Sequence, residues 1–393
     1  MTNTSSLNVR ASAPSSKYAI PFNKPCFAGN EQQYIADAMA TRHLSGDGTF
    51  TKKCHALLES LLSVKKVLLT TSCTHALEMC ALLLDIKDGD EVIIPSFTFV
   101  STVNAFVLRG AKPIFIDIRP DTLNMDTTQL KNLVTNKTKA VVPVHYGGIG
   151  CDMDEIHSVC DPPGIKIVED NAHGLFGKFD GQLLGTFGSL ATQSFHETKN
   201  FQCGEGGALI INDETLVERA EIIREKGTNR SRFFRGQVDK YSWVDLGSSY
   251  LPSDILAAFL YAQLEERETI QQRRKEIWDR YFLELKDWAT SHGFRLPTVP
   301  ANCEQSYHLF FLLLPNLEVR QKLIEHLAAR SILAVYHYLP LHASTMGSTF
   351  GYKAGDYPVT EHVSDRLLRL PFFNNLTKDE QQQVIAALLQ FEP

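Results

Sequence analysis

The stretch from Lys65 to Asp170 repeats one pattern five times: KKVLLTT (65–71), EVIIP (91–95), KPIFIDI (112–118), KAVVPVH (139–145) and IKIVED (165–170). Each run is short, apolar and rich in Val and Ile, the composition of a strand buried on both faces. Between them THALEMCALLLDI (74–86), VSTVNAFVLRG (100–110), TTQLKNLV (127–134) and MDEIHSVC (153–160) have helical length and spacing. Such alternation predicts an α/β fold, a mostly parallel sheet with helices on both faces. The pattern changes near residue 250. A long helix is expected from Ser253 to about Trp288, then strands near SYHLFFLLL (306–314) and ILAVYHYL (332–339) separated by VRQKLIEHLAARS (319–331). A last helix over Lys378–Leu389 completes a smaller α+β domain. The expected division is a polar, disordered tail over 1–17, a large domain over 18–250 and a small C-terminal domain over 251–393.

Composition narrows the function. The chain has 393 residues, enough for two domains. With 39 basic and 45 acidic residues its net charge is −6, so charge makes no case for nucleic acid or an anionic membrane as a partner. No uninterrupted apolar window reaches membrane-spanning length, and MTNTSSLNVRASAPSSK lacks the apolar core of a secretory signal. Eight scattered cysteines with no CxxC pair read as reduced thiols of a cytoplasmic protein. Cys151, His157 and Cys160 have loosely metal-like spacing but no second ligand segment, so no metal is expected.

On an open α/β sheet, ligands sit beyond the carboxyl ends of the strands. After the first run comes Ser72-Cys73-Thr74-His75, a small polar turn that opens a helix; its free N–H groups suit a phosphate, and ordinary helix capping is an equal alternative. Asp170 ends the fifth run, with His173 three residues on. Then GTFGS (185–189) and LATQSFHETKN lead to Lys199 in a polar turn before GEGG (204–207). A lysine held there becomes a nucleophile for a carbonyl carbon when its pKa falls. A phosphate cradle, a strand-end carboxylate and a later lysine are the three attachments that pyridoxal 5'-phosphate needs. Phe99, just after a strand, offers a flat surface for its ring; taken alone, it reads as a core aromatic.

The ordered segments TSCTHAL, PSFTFVSTVNAFVLRGAKPIFIDI, VPVHYGG, VEDNAHG, GTFGS, SFHETKN, GEGGALI and HYLPLH resemble the sugar aminotransferases of the DegT/DnrJ/EryC1/StrS family, from Ile20 onward. The resemblance implies a pyridoxal-phosphate-dependent type I aminotransferase fold with a mostly parallel seven-stranded sheet, and a homodimer with shared active sites. It implies that Lys199 carries the cofactor aldehyde, that Asp170 pairs with the pyridine nitrogen, and that Ser194, Cys73 and Thr74 contact the phosphate. By the same resemblance Phe99 stacks on the ring and His173 approaches its hydroxyl side. Ser249 stands where many members place an asparagine that reaches the neighbouring subunit's phosphate.

IPFNKP, GDGTFT, EIIREKGTNRSRFFRGQVDKYSW, DLGSSYLPSD and LLRLPFFNNLT are similar to one branch of that family. That branch aminates dTDP-4-keto-6-deoxyglucose with glutamate, releasing 2-oxoglutarate and giving dTDP-4-amino-4,6-dideoxygalactose for cell-surface glycans. The 4-amino gluco epimer, or another nucleotide keto-sugar, is the alternative. Arg224 to Lys240 holds six basic and two acidic residues. Arg230, Arg232 and Arg235 are thus candidates for a diphosphate. His145, His308 and His342 are further site candidates, from strand-end or motif positions.

Overall fold

The computed structural model describes residues 17–393. The polar segment expected as a tail therefore lies, up to residue 16, outside the described residues. Seven strands form the large sheet: β1 (Lys66–Thr70), β2 (Glu91–Pro95), β3 (Lys112–Ile116), β4 (Thr138–Val141), β5 (Lys166–Asp170), β6 (Leu190–Ser194) and β7 (Gly207–Ile211). Their order is β1-β7-β6-β5-β4-β2-β3, and only β7 runs against the others. The carboxyl ends of the other six therefore open on one edge, where the amino end of β7 joins them.

Alternation along each strand puts side chains on both faces. Leu68, Val92, Ile94, Leu209 and Ile211 join the core under the helices Cys73–Leu83, Val100–Val107 and Val217–Arg224. Val67, Leu69, Ala208 and Ile210 pack the other way, against Leu58, Leu62, Ala257, Leu260 and Leu264. Ile93, Val141 and Ile167 continue that face over the helix Met153–Cys160.

The smaller unit is built on β8 (Phe311–Leu313) paired antiparallel with β9 (Leu367–Arg369). The helices Arg267–Ser291, Leu317–Ala328 and Lys378–Leu389 enclose its core, which includes Tyr281, Leu285, Phe310, Leu312, Leu370 and Ile385. The last helix begins on a capping box between Thr377 and Glu380.

Several expectations need correction. The long helix breaks at Glu266 into Asp254–Glu265 and Arg267–Ser291. The first half belongs to the large unit, because its apolar face is buried against β1 and β7, so the division at 250/251 falls before an element that the large core needs. Ile20, placed by the sequence in the large domain, instead exchanges backbone hydrogen bonds with Ser331 and Leu333 and is buried in the small core. The strand expected over 332–339 is reduced to two isolated bridges, Ile332 to Ile20 and Val335 to Arg369; the partner of β8 is Leu367–Arg369. All eight cysteines are unpaired, and no helix among the described residues is long and apolar enough to cross a membrane.

Asp254 ties two helices of the large unit together. Its fully buried carboxylate accepts hydrogen bonds from the Phe50 and Thr51 amides (3.2 and 2.8 Å) and the Thr51 hydroxyl (2.8 Å) at the start of the helix Thr49–Leu62. Gly48 keeps this approach open, since a Cβ there would lie 2.4 Å from the carboxylate. Asp254→Ala strands those donors and should lower stability by about 3 kcal/mol, read as the shift of the urea-unfolding midpoint. Asp254→Asn, which keeps an acceptor, should lose less.

Candidate active site

The shared strand edge and the small unit enclose a cavity of about 800 Å³. Each wall follows from the local chain path. β1 ends at Thr70, and Ser72 caps the helix Cys73–Leu83 by accepting the His75 amide at 3.1 Å. The amides of Cys73 and Thr74, the first two residues of the helix, have no acceptor among the described residues, and both residues line the cavity. β7 runs so close behind this turn that a Cβ on Gly207 would lie 2.3 to 2.5 Å from Ser72 and Cys73 backbone atoms. Only glycine fits there. Across the turn, Ser194 at the end of β6 presents a hydroxyl to the same cavity.

Asp170, buried at the end of β5, accepts the Thr102 hydroxyl at 2.7 Å and the Ala172 amide at 3.2 Å. Beyond it His173 is buried, and its Nδ1 accepts the Gly147 amide at 3.3 Å. That contact leaves the proton on Nε2. Burial, then the charges of Lys199 and Arg369, hold His173 well below the usual imidazole range, so it is a neutral donor. Its ring stacks on His308 at 4.1 Å. Phe99 precedes the helix Val100–Val107 and lines the opposite wall, its ring 56% exposed within one chain.

Lys199 sits in the loop joining β6 to β7, which is closed by hydrogen bonds from Phe195 to Gly206 and from Glu197 to Gly204. The next residue pins the loop to the small unit: Asn200 donates to the Ser306 carbonyl at 2.7 Å and accepts from His308 Nδ1 at 2.9 Å. The Lys199 amine lines the cavity and makes no hydrogen bond or ion pair with a described residue. Burial, opposed by Asp170 and reinforced by Arg369, lowers its pKa to about 8. Cys73 offers no thiolate beside it, because burial pushes that thiol up to about 12.

These residues fit pyridoxal phosphate. Unpaired amides at a helix start and a nearby hydroxyl suit a phosphate, a fixed carboxylate suits a protonated ring nitrogen, and a free amine suits an aldehyde. Sequence comparison decides the family. Residues 25–389 match the model of the DegT/DnrJ/EryC1/StrS aminotransferase family. The chain belongs to that family. It is a pyridoxal-phosphate-dependent sugar aminotransferase. GDP-perosamine synthase of Escherichia coli O157:H7 is 30% identical over 95% of this chain and 98% of its own. The spore coat polysaccharide biosynthesis protein SpsC of Bacillus subtilis is 30% identical over 94% and 96%. Among solved structures, the putative sugar aminotransferase Spr1654 of Streptococcus pneumoniae superposes in its PLP form with a TM-score of 0.87 at 28% identity. That match covers 94% of this chain and 98% of the other.

Of the family positions expected from sequence, Lys199, Asp170, Ser194, Cys73, Thr74, Phe99 and His173 all line this one cavity. His308 joins them. His342 does not: it is fully buried between Ser96 (2.7 Å) and Glu361 (2.8 Å), where it ties the β2 end to the helix Pro358–Arg366. His145 is also fully buried, behind the sheet edge, donating to Glu169 at 2.9 Å. Glu169 in turn accepts the Gly185, Phe187 and Gly188 amides (2.7, 2.7 and 2.8 Å), which explains the GTFGS segment as a loop built around a carboxylate. Arg230, Arg232 and Arg235 lie outside the cavity of their own chain and pair with Glu225, Glu218 and Glu221. Ser249 is exposed beyond them. Thr102, His337, Tyr338 and Arg369 also line the site; each lies in a segment that carries the resemblance but was assigned no role there.

The Lys199 amine should react at Lys199, in cofactor-free protein, with an acylating reagent at a rate that rises through a midpoint near pH 8, quantified by peptide mapping. The Asp170 carboxylate favours the ammonium form, so Asp170→Asn should move the midpoint down. A midpoint near an ordinary lysine value would contradict the burial described.

Proposed function

We propose that the protein transfers an amino group from glutamate to the 4-keto carbon of dTDP-4-keto-6-deoxyglucose, giving dTDP-4-amino-4,6-dideoxygalactose. The observation that carries the transamination reading is the Lys199 amine, unpaired and partly neutral, in one cavity with Asp170 and an open helix start. The sugar assignment is supported by the segments 221–243, 245–254 and 367–377, and by a relative named for a nucleotide-linked amino sugar.

Pyridoxal phosphate, when bound, supplies an electron sink and carries the amino group from donor to acceptor. The Cys73 and Thr74 amides and the Ser194 hydroxyl hold its phosphate. Asp170 keeps the proton on its ring nitrogen, and Thr102 and Ala172 keep that carboxylate aimed. Phe99 would cover a ring face, and His173 would offer its Nε2–H to the ring hydroxyl. Lys199 would hold the cofactor's aldehyde and, once released, would serve as base for the donor's Cα proton and as acid toward C4 of the sugar. With a pKa of about 8, about a tenth of the amine is neutral at pH 7, against about one part in several thousand for an ordinary lysine.

The working unit in this proposal is a homodimer. Phe234, Tyr241, Trp243 and Leu246 are exposed by 69, 55, 78 and 50%, an apolar group that a second copy would cover. Arg230, Arg232, Arg235 and Ser249 flank it and would serve the partner's cavity, the arginines meeting the diphosphate.

Mixing Lys199→Ala protein with a variant carrying Ala at Arg230, Arg232 and Arg235 tests the shared site. If the arginines act across the interface, a co-refolded mixture of the two weak parents should regain roughly a quarter of wild-type activity, assuming independent sites. No recovery in confirmed heterodimers would contradict the cross-chain role. Incubation with dTDP-4-keto-6-deoxyglucose and L-glutamate tests the reaction. NMR of the product should show the small H3–H4 coupling of an axial C4 amine. A large coupling would mean the gluco epimer, and no amination of this sugar would refute the substrate assignment.

A further inference from the structure

The segment Ser306-Tyr307-His308 lies between the Lys199 loop and the His173 turn and is joined to both. On one side Asn200 donates to the Ser306 carbonyl at 2.7 Å and to Gln271 Oε1 at 3.2 Å. Those contacts orient the amide, so its oxygen accepts from His308 Nδ1 at 2.9 Å. His308 therefore carries its proton on Nδ1. On the other side the Ser306 hydroxyl donates to the His173 carbonyl, and the His308 ring stacks on the His173 ring at 4.1 Å and 21°. Behind the segment, buried Arg274 donates to the Tyr307 and His308 carbonyls at 2.9 and 2.6 Å. Tyr307 holds a φ of 54°, a left-handed conformation uncommon for a residue with a side chain. Gly148 gives the Ser306 hydroxyl its room, since a Cβ there would lie 1.9 Å from it.

The His173 ring depends on such support. Its one ring hydrogen bond with a described residue is the contact accepted from the Gly147 amide, long at 3.3 Å. A single bond at one nitrogen leaves the ring plane free to turn. Tyr146 meets the ring edge-on at 5.8 Å and His337 lies parallel at 6.3 Å, so His308 is the nearest aromatic plane. The stack is also an electrical condition. Burial and the charges of Lys199 and Arg369 hold both rings neutral, with Arg274 acting on His308 as well. His337, which faces His173, is neutral for the same reasons. Two imidazolium ions at this spacing would repel, so the stack keeps His173 an uncharged donor at Nε2.

We propose that His308 is a positioning residue: its ring, oriented by Asn200, keeps the His173 Nε2–H directed at the cofactor's ring hydroxyl. The inference rests on the ring-hydroxyl contact proposed above and extends it to the small unit. Its consequence is a coupling. The residue that follows Lys199 in the chain also sets, through two rings, the donor at the cofactor's neighbouring oxygen. A movement of the loop 195–206 that separated Asn200 from His308 would therefore alter both groups at once.

The readout is the visible band of the cofactor linked to Lys199, titrated with pH. The linkage nitrogen shares its proton with the adjacent ring oxygen, and a donor on that oxygen weakens the sharing and lowers the midpoint. His173→Phe removes the donor and should raise the midpoint by about one unit. His308→Ala should raise it in the same direction, by about half a unit or more. The double variant should lie no higher than His173→Phe, because His308 acts through His173. His308→Phe, which keeps a flat ring, should recover part of the shift. In cofactor-free wild-type protein, nitrogen-15 NMR should show His173 neutral at pH 7 with its proton on Nε2, the signal being the one lost in His173→Phe. An unchanged midpoint in His308→Ala, or shifts that add in the double variant, would overturn the role of His308 alone. A charged His173, or one protonated on Nδ1, in the wild-type spectrum would overturn it with no change made at His308. An unchanged midpoint in His173→Phe would overturn the ring-hydroxyl contact and this inference with it.

Discussion

An amine kept from water without a counter-ion is the condition on which this site depends. Lys199 must be partly neutral to act as nucleophile and base, and an adjacent ion pair would hold it charged. The fold meets that condition by placing the loop 195–206 under the small unit, where Asn200 locks it to His308 and Ser306. Asp170 is close enough to raise the amine's pKa, yet its oxygens are occupied by Thr102 and Ala172. Arg369 acts in the other direction. Burial wins the balance.

The reversed strand β7 makes the geometry possible. Because it enters the sheet between β1 and β6, the helix start at Cys73 and the end of β6 at Ser194 are brought to either side of its first residue. Gly207 allows the close approach that a side chain would block. The anion cradle and the lysine loop are thus consequences of one strand order, with the small unit closing the third side.

The parallel sheet was legible because β1 to β5 are separate apolar runs with helical segments between them. Lys199, Asp170, Cys73, Thr74, Phe99 and His173 were legible for a related reason: each ends or follows a strand, where the chain must turn across the open edge, whereas Ser194 was legible only through the family resemblance. Arg369 and His337 come from distant segments of the small unit, and only folding reveals that they face Lys199. β9 is three residues long, too short for any periodicity to declare it. The break at Glu266 has neither Gly nor Pro to mark it, so two helices serving different cores read as one. His342 misled because its motif position lies beside the site while its side chain is consumed by Ser96 and Glu361. The three arginines formed a basic cluster in the sequence, where their partners, Glu218 and Glu221 on the preceding helix and Glu225 just after it, were not apparent.

The most direct test of the central claim is where the cofactor becomes attached. Wild-type protein loaded with pyridoxal phosphate, reduced with borohydride and digested should yield one modified peptide carrying the adduct on Lys199. An adduct on any other lysine, with Lys199 unmodified, would contradict the account of the site.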